Sequence, residues 1–368
     1  MTTTNFRPSK IIVDLDAITH NVGEIKKHAH GSKLAIAVKS NAYGHGIVKV
    51  SKHLESIGVD MLLVSSADEA LELRENNIQI PILILSEITN DAIAMCCKNN
   101  ISFTAYTEEF INKLAKTATK ENPASVHLKI NTGMNRVGCE PHDVLKLASF
   151  VNQESSLNLD GVFTHFATAE DLDSFGFDKQ NNLFESIIND LKEIGIDPPL
   201  IHSCNSAATI KYPQAQHSMV RVGLAAYGLY PKEGMEKILN LKPALKLISE
   251  IGFIKTVAPH EKISYGWHYE FDEFTHVGTI PIGYGDGVPR NLGINGGTVS
   301  IKGKRCKIVG VVTMDQLMVD IEGIDADVGE EVVLIGKDIS VDEWAELANT
   351  ISWEILCSFS ARLPRIYD

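Results

Sequence analysis

The chain has 368 residues, 44% hydrophobic and 22% charged, enough for a substantial core but beyond the length at which one core keeps growing, so two domains are expected. Its net charge of −13 is dispersed rather than gathered in a tail, which argues against nucleic acid or an anionic membrane as partner. No apolar run reaches the roughly 18 residues of a membrane span, residues 1–7 lack the apolar core of a secretory signal, and the six cysteines show no metal-ligand spacing; the expectation is a cytoplasmic chain with reduced thiols and no metal.

In chain order, short apolar runs rich in β-branched residues alternate with stretches of helical spacing. The runs 34–38, 61–64, 82–85, 101–105, 126–130, 161–165, 200–203 and 219–223 predict strands, and 47–57, 67–74, 108–118, 144–151 and 184–194 predict helices between them. Alternating βα units imply a parallel sheet, and eight of them favour a closed (β/α)₈ barrel, placed at residues 10–235. From about Pro231 the texture turns rich in Val, Ile and Thr with turn signals at 258–260, 296–297, 302–304 and 322–325, which predicts a mainly antiparallel β domain over residues 236–368, with residues 1–9 packing on it. A short helix is expected at 341–348 and a last strand around 355–359. No fixed-period repeat or low-complexity segment is evident.

The barrel makes a demand on chemistry, because active sites in this architecture sit at the C-terminal ends of the strands. Lys39 follows the apolar run 34–38 and precedes a Gly-rich turn, Ser40-Asn41-Ala42-Tyr43-Gly44-His45-Gly46. A lysine amine is a poor nucleophile while protonated, and desolvation at a buried strand end is one way to lower its pKa. Arg136 lies in the loop after the fifth strand, His165 ends the sixth, Asn205 and Ser206 follow the seventh, and Arg221 lies in the eighth. Each alone is more often structural, but five on one rim point to a site. Ser206 begins a helix-like segment whose free N–H groups suit a dianionic phosphate, and Gly223 with Leu224 could add backbone donors.

The string 37–46 closely resembles the lysine motif of the alanine racemases, commonly Ala-Val-Lys-Ala-Asn-Ala-Tyr-Gly-His-Gly, and departs from it only at Ser40. Phe163-Thr164-His165-Phe166-Ala167, His202-Ser203-Cys204-Asn205-Ser206 and Met219-Val220-Arg221-Val222-Gly223 are similar to that family's cofactor-binding elements. The resemblance runs from about Ile11 to Tyr367. It implies that Lys39 carries pyridoxal 5′-phosphate (PLP) as a Schiff base, that Tyr43, Ser206, Gly223 and Leu224 hold the phosphate, that His165 supports the ring, and that Arg221 meets the pyridine nitrogen. An arginine can only donate there, leaving the nitrogen unprotonated, which favours reprotonation at Cα over transamination. Racemisation then needs a second acid on the opposite face.

The segment Ile263-Ser264-Tyr265-Gly266-Trp267-His268-Tyr269 resembles the one that supplies the opposing base, which implies a two-base racemase acting through Lys39 and Tyr265 of the partner subunit in a head-to-tail homodimer with shared sites. Residues 281–290 are similar to the family's entrance segment. Thr313-Met314-Asp315-Gln316 resembles the loop whose Met314 would donate to the substrate carboxylate opposite Arg136. The family often carbamylates the lysine matching Lys129, although Asn131 stands where Asp is more common. Residues 357–367 match the family's C-terminus, but Ala361 replaces its usual Tyr, so a wall and a hydroxyl are missing and the pocket could admit serine. Expected readings are thus an alanine racemase, an isomerase supplying D-alanine as a peptidoglycan precursor; a racemase of serine or a broad amino-acid set; or a non-catalytic PLP-binding homeostasis protein, against which the β domain argues. The His-Val-Gly-Ser and Glu-Pro-Gly-Arg signatures of the barrel-type PLP decarboxylases are absent.

Overall fold

The computed structural model describes residues 6–171 and 173–368. The chain folds as two compact units, one of Ala17–Ala42 and Ile47–Lys242, and another of the chain up to Asp16, Tyr43–Gly46 and Pro243–Asp368. Residues 1–5 of the expected N-terminal packing segment lie outside the described residues.

Outside the first unit, β1 (Lys10–Val13) opens the chain. Among its described residues the first unit contains eight strands: β2 (Lys33–Ala37), β3 (Met61–Val64), β4 (Ile82–Ile84), β5 (Ile101–Ala105), β6 (Ala124–Lys129), β7 (Leu157–Phe163), β8 (Leu200–His202) and β9 (Met219–Val222). They form a single parallel sheet in the order β8-β7-β6-β5-β4-β3-β2-β9. Strands β3 and β4 are buried along their whole length, which is why their sequences read as continuous apolar runs rather than alternating ones. The barrel is nearly closed. Between β8 and β9 the seam is held by the Arg221 N–H donating to the Cys204 carbonyl at 3.0 Å and by the Ser218 hydroxyl, which accepts from Ile201 N–H at 2.7 Å.

The connecting helices start where the sequence supplies caps. Ser66 accepts from the Glu69 N–H ahead of helix Ala67–Glu75, and Thr107 accepts from the Phe110 N–H ahead of Glu108–Thr117; both helices carry acidic residues in the first turn. The helix expected at 184–194 begins earlier, running Phe175–Glu193, because Phe177 and Gln180 continue its buried face.

The second unit is mainly antiparallel. After β10 (Leu245–Glu250), β11 (Phe253–Val257), β12 (Lys262–Ile263), β13 (Tyr269–Glu270), β14 (Thr275–Ile280), β15 (Thr298–Ile301), β16 (Lys304–Lys307), β17 (Leu317–Asp320) and β18 (Glu331–Ile335), the chain ends with β19 (Arg365–Tyr367). One sheet runs β16-β15-β18-β10-β1-β19, with β1 antiparallel to β10 and parallel to β19; a second runs β11-β14-β17. Lys10–Val13 is thus a strand of this sheet. Val257, Phe271, Val277 and Val309 form a buried cluster with Ile263, Tyr269 and Met318 packed on it, each fully buried apolar side chain contributing about 1.5–3 kcal/mol. The stretch 355–359 expected as a strand is instead part of helix Ser352–Ser358, whose Ile355 and Leu356 are buried; a short apolar run does not distinguish the two periods.

Candidate active site

Lys39 sits two residues beyond the end of β2, after buried Val38, and is itself half-buried. Immediately after it the backbone turns left-handed: φ is 53° at Ser40, 56° at Asn41, 53° at Ala42, 52° at Tyr43 and 81° at Gly44. A left-handed turn costs L-residues roughly 1–2 kcal/mol each, so the surroundings must hold it. Glu69 does so with one carboxylate, accepting from Ser40 N–H at 2.6 Å and from Ser65 N–H at 2.7 Å. Asn41 accepts from the Ile47 N–H at 2.8 Å, joining the turn to the start of helix Ile47–Ser56. Tyr43 is buried, which pushes its phenol well up from its ordinary value. Gly44 is required because a Cβ would lie 2.2 Å from the Leu356 carbonyl oxygen.

Across the barrel rim, Arg221 is 6% exposed and every hydrogen-bond partner found for it among the described residues is neutral. Its Nη1 donates to the His202 carbonyl at 2.8 Å and to His202 Nδ1 at 3.1 Å; its Nη2 donates to the carbonyls of Thr164 at 2.7 Å and Ser203 at 3.0 Å and to His165 Nδ1 at 3.2 Å. Burial brings even this guanidinium down to about 10. Burial first, and the cations Arg221, Arg136, Lys129 and Lys39 second, drive His165 well below its ordinary value, so the ring is neutral. Lys129 lies buried at the end of β6 with its Nζ 5.8 Å from the Phe163 ring centre; desolvation, then Arg136, Arg221 and Lys39, bring it down to about 8. Arg136 is exposed in the loop that follows. Asn131, in place of a carboxylate, staples that loop by accepting from the N–H groups of Gly133 and Asn135 and donating to Glu140.

Asn205 caps helix Ser206–Lys211 by accepting from the Ala208 N–H. The buried Ser206 hydroxyl accepts from the Gly223 N–H at 3.0 Å, and buried Leu224 follows, so hydroxyl and backbone donors converge at the ends of β8 and β9. The structure therefore brings Lys129, His165 and Arg221 together, places Asn205, Ser206 and Gly223 together, and sets Lys39 and Arg136 close enough to act electrostatically on Lys129 and His165. Sequence reasoning assigned no role to His202 or His127. A signal existed for His127, which shares a strand face with Lys129 two positions on.

In the second unit, Tyr265 is 71% exposed on the turn between β12 and β13, beside Trp267 at 70%. The turn is left-handed at Ser264, Gly266 and Trp267, and the Ser264 hydroxyl ties it to the Val311 carbonyl at 2.6 Å. The Met314 loop is fixed to the segment 281–290 by Tyr284 N–H to Thr313 O and Gly285 N–H to Met314 O, both 2.9 Å. Asp286 is fully buried, accepting from both Arg7 Nη atoms at 2.6 and 2.9 Å; Arg362 Nε stands 3.5 Å from it and reaches Asp315 through Nη2. Ala361 is exposed next to Arg362.

The family model for the alanine racemase N-terminal domain matches residues 13–231, and that for the alanine racemase C-terminal domain matches residues 244–367. The chain belongs to the alanine racemase family. Among its relatives, an alanine racemase of Methanococcus maripaludis is 39% identical over 96% of this chain and 97% of that protein, and alanine racemase 2 of Bacillus subtilis is 36% identical over 97% and 94%. The solved structure of an alanine racemase of Clostridium difficile 630 superposes with a TM-score of 0.95 at 37% identity, covering 99% of this chain and 96% of that one. The alanine racemase of Bacillus anthracis with bound L-Ala-P gives a TM-score of 0.92, also at 37% identity, over 99% and 95%. The family's two-part plan thus matches the barrel and the mainly antiparallel unit described above.

Proposed function

We propose that this protein interconverts L- and D-alanine with PLP as cofactor, in a head-to-tail homodimer that shares its active sites. The observation that carries the reading is Arg221, a buried cation at the barrel rim whose hydrogen-bond partners among the described residues are all neutral, on the same rim as Lys39. The donor set fits PLP: an amine that can condense with its aldehyde, a serine hydroxyl with the Gly223 and Leu224 N–H groups and Tyr43 for its phosphate, and a guanidinium with donors only for its ring nitrogen. When bound, PLP withdraws electrons from the substrate Cα and makes its proton removable.

The chain's own residues do the rest. Lys39 exchanges a proton on one face of Cα, and Tyr265 of the partner subunit exchanges one on the other. Arg221 keeps the ring nitrogen unprotonated, held in line by His165 and His202, and Asn205 holds the start of the Ser206 helix. Arg136 and the Met314 N–H orient the substrate carboxylate. Lys129 has lost enough basicity that about a tenth of it is neutral at pH 7, which suits addition of CO₂ to give a carbamate and a released proton, placing an anion beside Arg136. No helix of the described residues is long and apolar enough to cross a membrane, and we place the enzyme in the cytoplasm.

Subunit complementation tests the reading. Lys39→Ala and Tyr265→Phe proteins should each be inactive alone. Mixed, dissociated and reassociated, they should recover about a quarter of wild-type activity, since half the dimers are mixed and each of those carries one intact site. No recovery from a mixture shown to contain mixed dimers would refute the shared site.

A further inference from the structure

His127 is a buried titratable group that the mechanism above does not use. It lies in β6, 1% exposed, with its Nδ1 2.9 Å from His202 Nε2. His202 in turn meets Arg221 Nη1 through Nδ1. A guanidinium can only donate, so His202 Nδ1 must accept and the His202 proton must sit on Nε2. That proton points at His127 Nδ1, so the proton of neutral His127 must sit on its own Nε2, an atom with no partner among the described residues. The chain Arg221, His202, His127 therefore has one consistent set of proton positions, running from the barrel rim into its interior.

The backbone is shaped to seat this ring. The β6–β7 register shifts between Val126 and His127: Val126 faces Leu159, His127 faces Gly161, and Asp160 is the extra residue. Bulges re-aim side chains beside functional sites. Gly161 is needed opposite, since a Cβ there would lie 2.4 Å from His127 Nδ1. Phe163 stacks on His202 at 4.7 Å and 9°, closing the other side.

We infer that His127 is a positioning residue for Arg221: by accepting the His202 Nε2 proton it fixes the His202 tautomer whose Nδ1 lone pair holds the guanidinium towards the cofactor ring. The inference rests on the reading of Arg221 given above. Neutral imidazoles suit this role, since they orient the cation without sharing its charge or repelling it, and burial keeps both rings neutral.

Neutron diffraction from crystals of the PLP-loaded protein locates the deuterons directly. The expected result is deuterium on Nε2 of both His202 and His127; deuterium on Nδ1 of either overturns the inference with no variant needed. Kinetics supply the functional half. His127→Asn keeps an acceptor near the Nδ1 position, whereas His127→Gln moves it away. His127→Gln should lower kcat by about tenfold with the KM for alanine little changed, and His127→Asn should recover most of it, as for other groups that orient a ligand through a second residue. Equal losses in the two variants, or no loss in His127→Gln, would reduce His127 to a packing residue. A wild-type protein that racemises nothing would overturn the racemase reading, while the deuteron positions would still decide the one about His127.

Discussion

The left-handed run after Lys39 gives a stability prediction whose sign is opposite to the usual one. Ser40 is exposed with φ 53° and ψ 51°, and its backbone N–H, held by Glu69, survives any substitution but proline. Ser40→Gly removes a left-handed penalty of about 1–2 kcal/mol and adds about 0.5–1 kcal/mol of unfolded-chain entropy. The difference is a stabilisation of about 0.5–1 kcal/mol, read as a higher urea midpoint with an unchanged slope. In ordinary helical backbone the same change costs about 0.5 kcal/mol. Ser40→Val should instead lose more than about 1 kcal/mol, because a β-branched side chain is the least tolerant of this region. The freed backbone in Ser40→Gly should also slow the reaction a few-fold by loosening the placement of Lys39. A lower midpoint for Ser40→Gly would refute the argument that the turn is held against its own preference.

Acid should destabilise the barrel through its buried imidazoles. His127 is brought from 6.5 down to about 3 by burial and then by Arg221; the unfolded chain takes its proton first, so this stability is present above about pH 6.5 and is lost as pH falls towards 3. At pH 5 the loss is about 2 kcal/mol for that group. His127→Gln should therefore show a shallower fall between pH 7 and 5, and an unchanged pH dependence would contradict the assignment. Asp286→Asn should destabilise by about 3 kcal/mol in urea unfolding, because it leaves Arg7 without its buried counter-ion, while Arg7→Met with Asp286→Asn should cost less than the single change. ¹³C-labelled bicarbonate should give a carbamate resonance that Lys129→Ala abolishes; its absence from the wild type would exclude the modification. Ala361→Tyr should lower the serine-to-alanine ratio of kcat/KM by about tenfold, and an unchanged ratio would remove Ala361 as a specificity determinant.

The barrel was legible because its strands are buried on both faces and its helices are amphipathic, so the apolar runs between 33 and 222 announced elements whose ends mostly shifted by a few residues, the helix Phe175–Glu193 beginning nine residues before its expected start. Lys10–Val13 was not, since nothing local tells a strand that its neighbours will be Leu245–Glu250 and Arg365–Tyr367, more than 230 residues away. Ile355 and Leu356 failed for a different reason: two buried apolar residues in a seven-residue element fit either period. Lys39, His165 and Arg221 were legible as polar residues at strand ends. The left-handed conformation of Ser40 to Tyr43 ahead of Gly44 was hidden, because Ser, Asn, Ala and Tyr give no warning of a conformation imposed by Glu69 and by the helix that follows. His127 carried only the signal of sharing a face with Lys129; the bulge at Asp160 in the neighbouring strand β7, which brings Gly161 opposite its ring, cannot be read from the β6 segment.

Racemisation of alanine by this protein is tested by incubating the PLP-loaded protein with L-alanine in deuterated water, followed by chiral separation and mass analysis. The expected product is D-alanine carrying one deuterium at Cα, formed by the wild type and by neither Lys39→Ala nor Tyr265→Phe. L-alanine recovered without D-enantiomer or deuterium, from protein shown to hold PLP on Lys39, would contradict it.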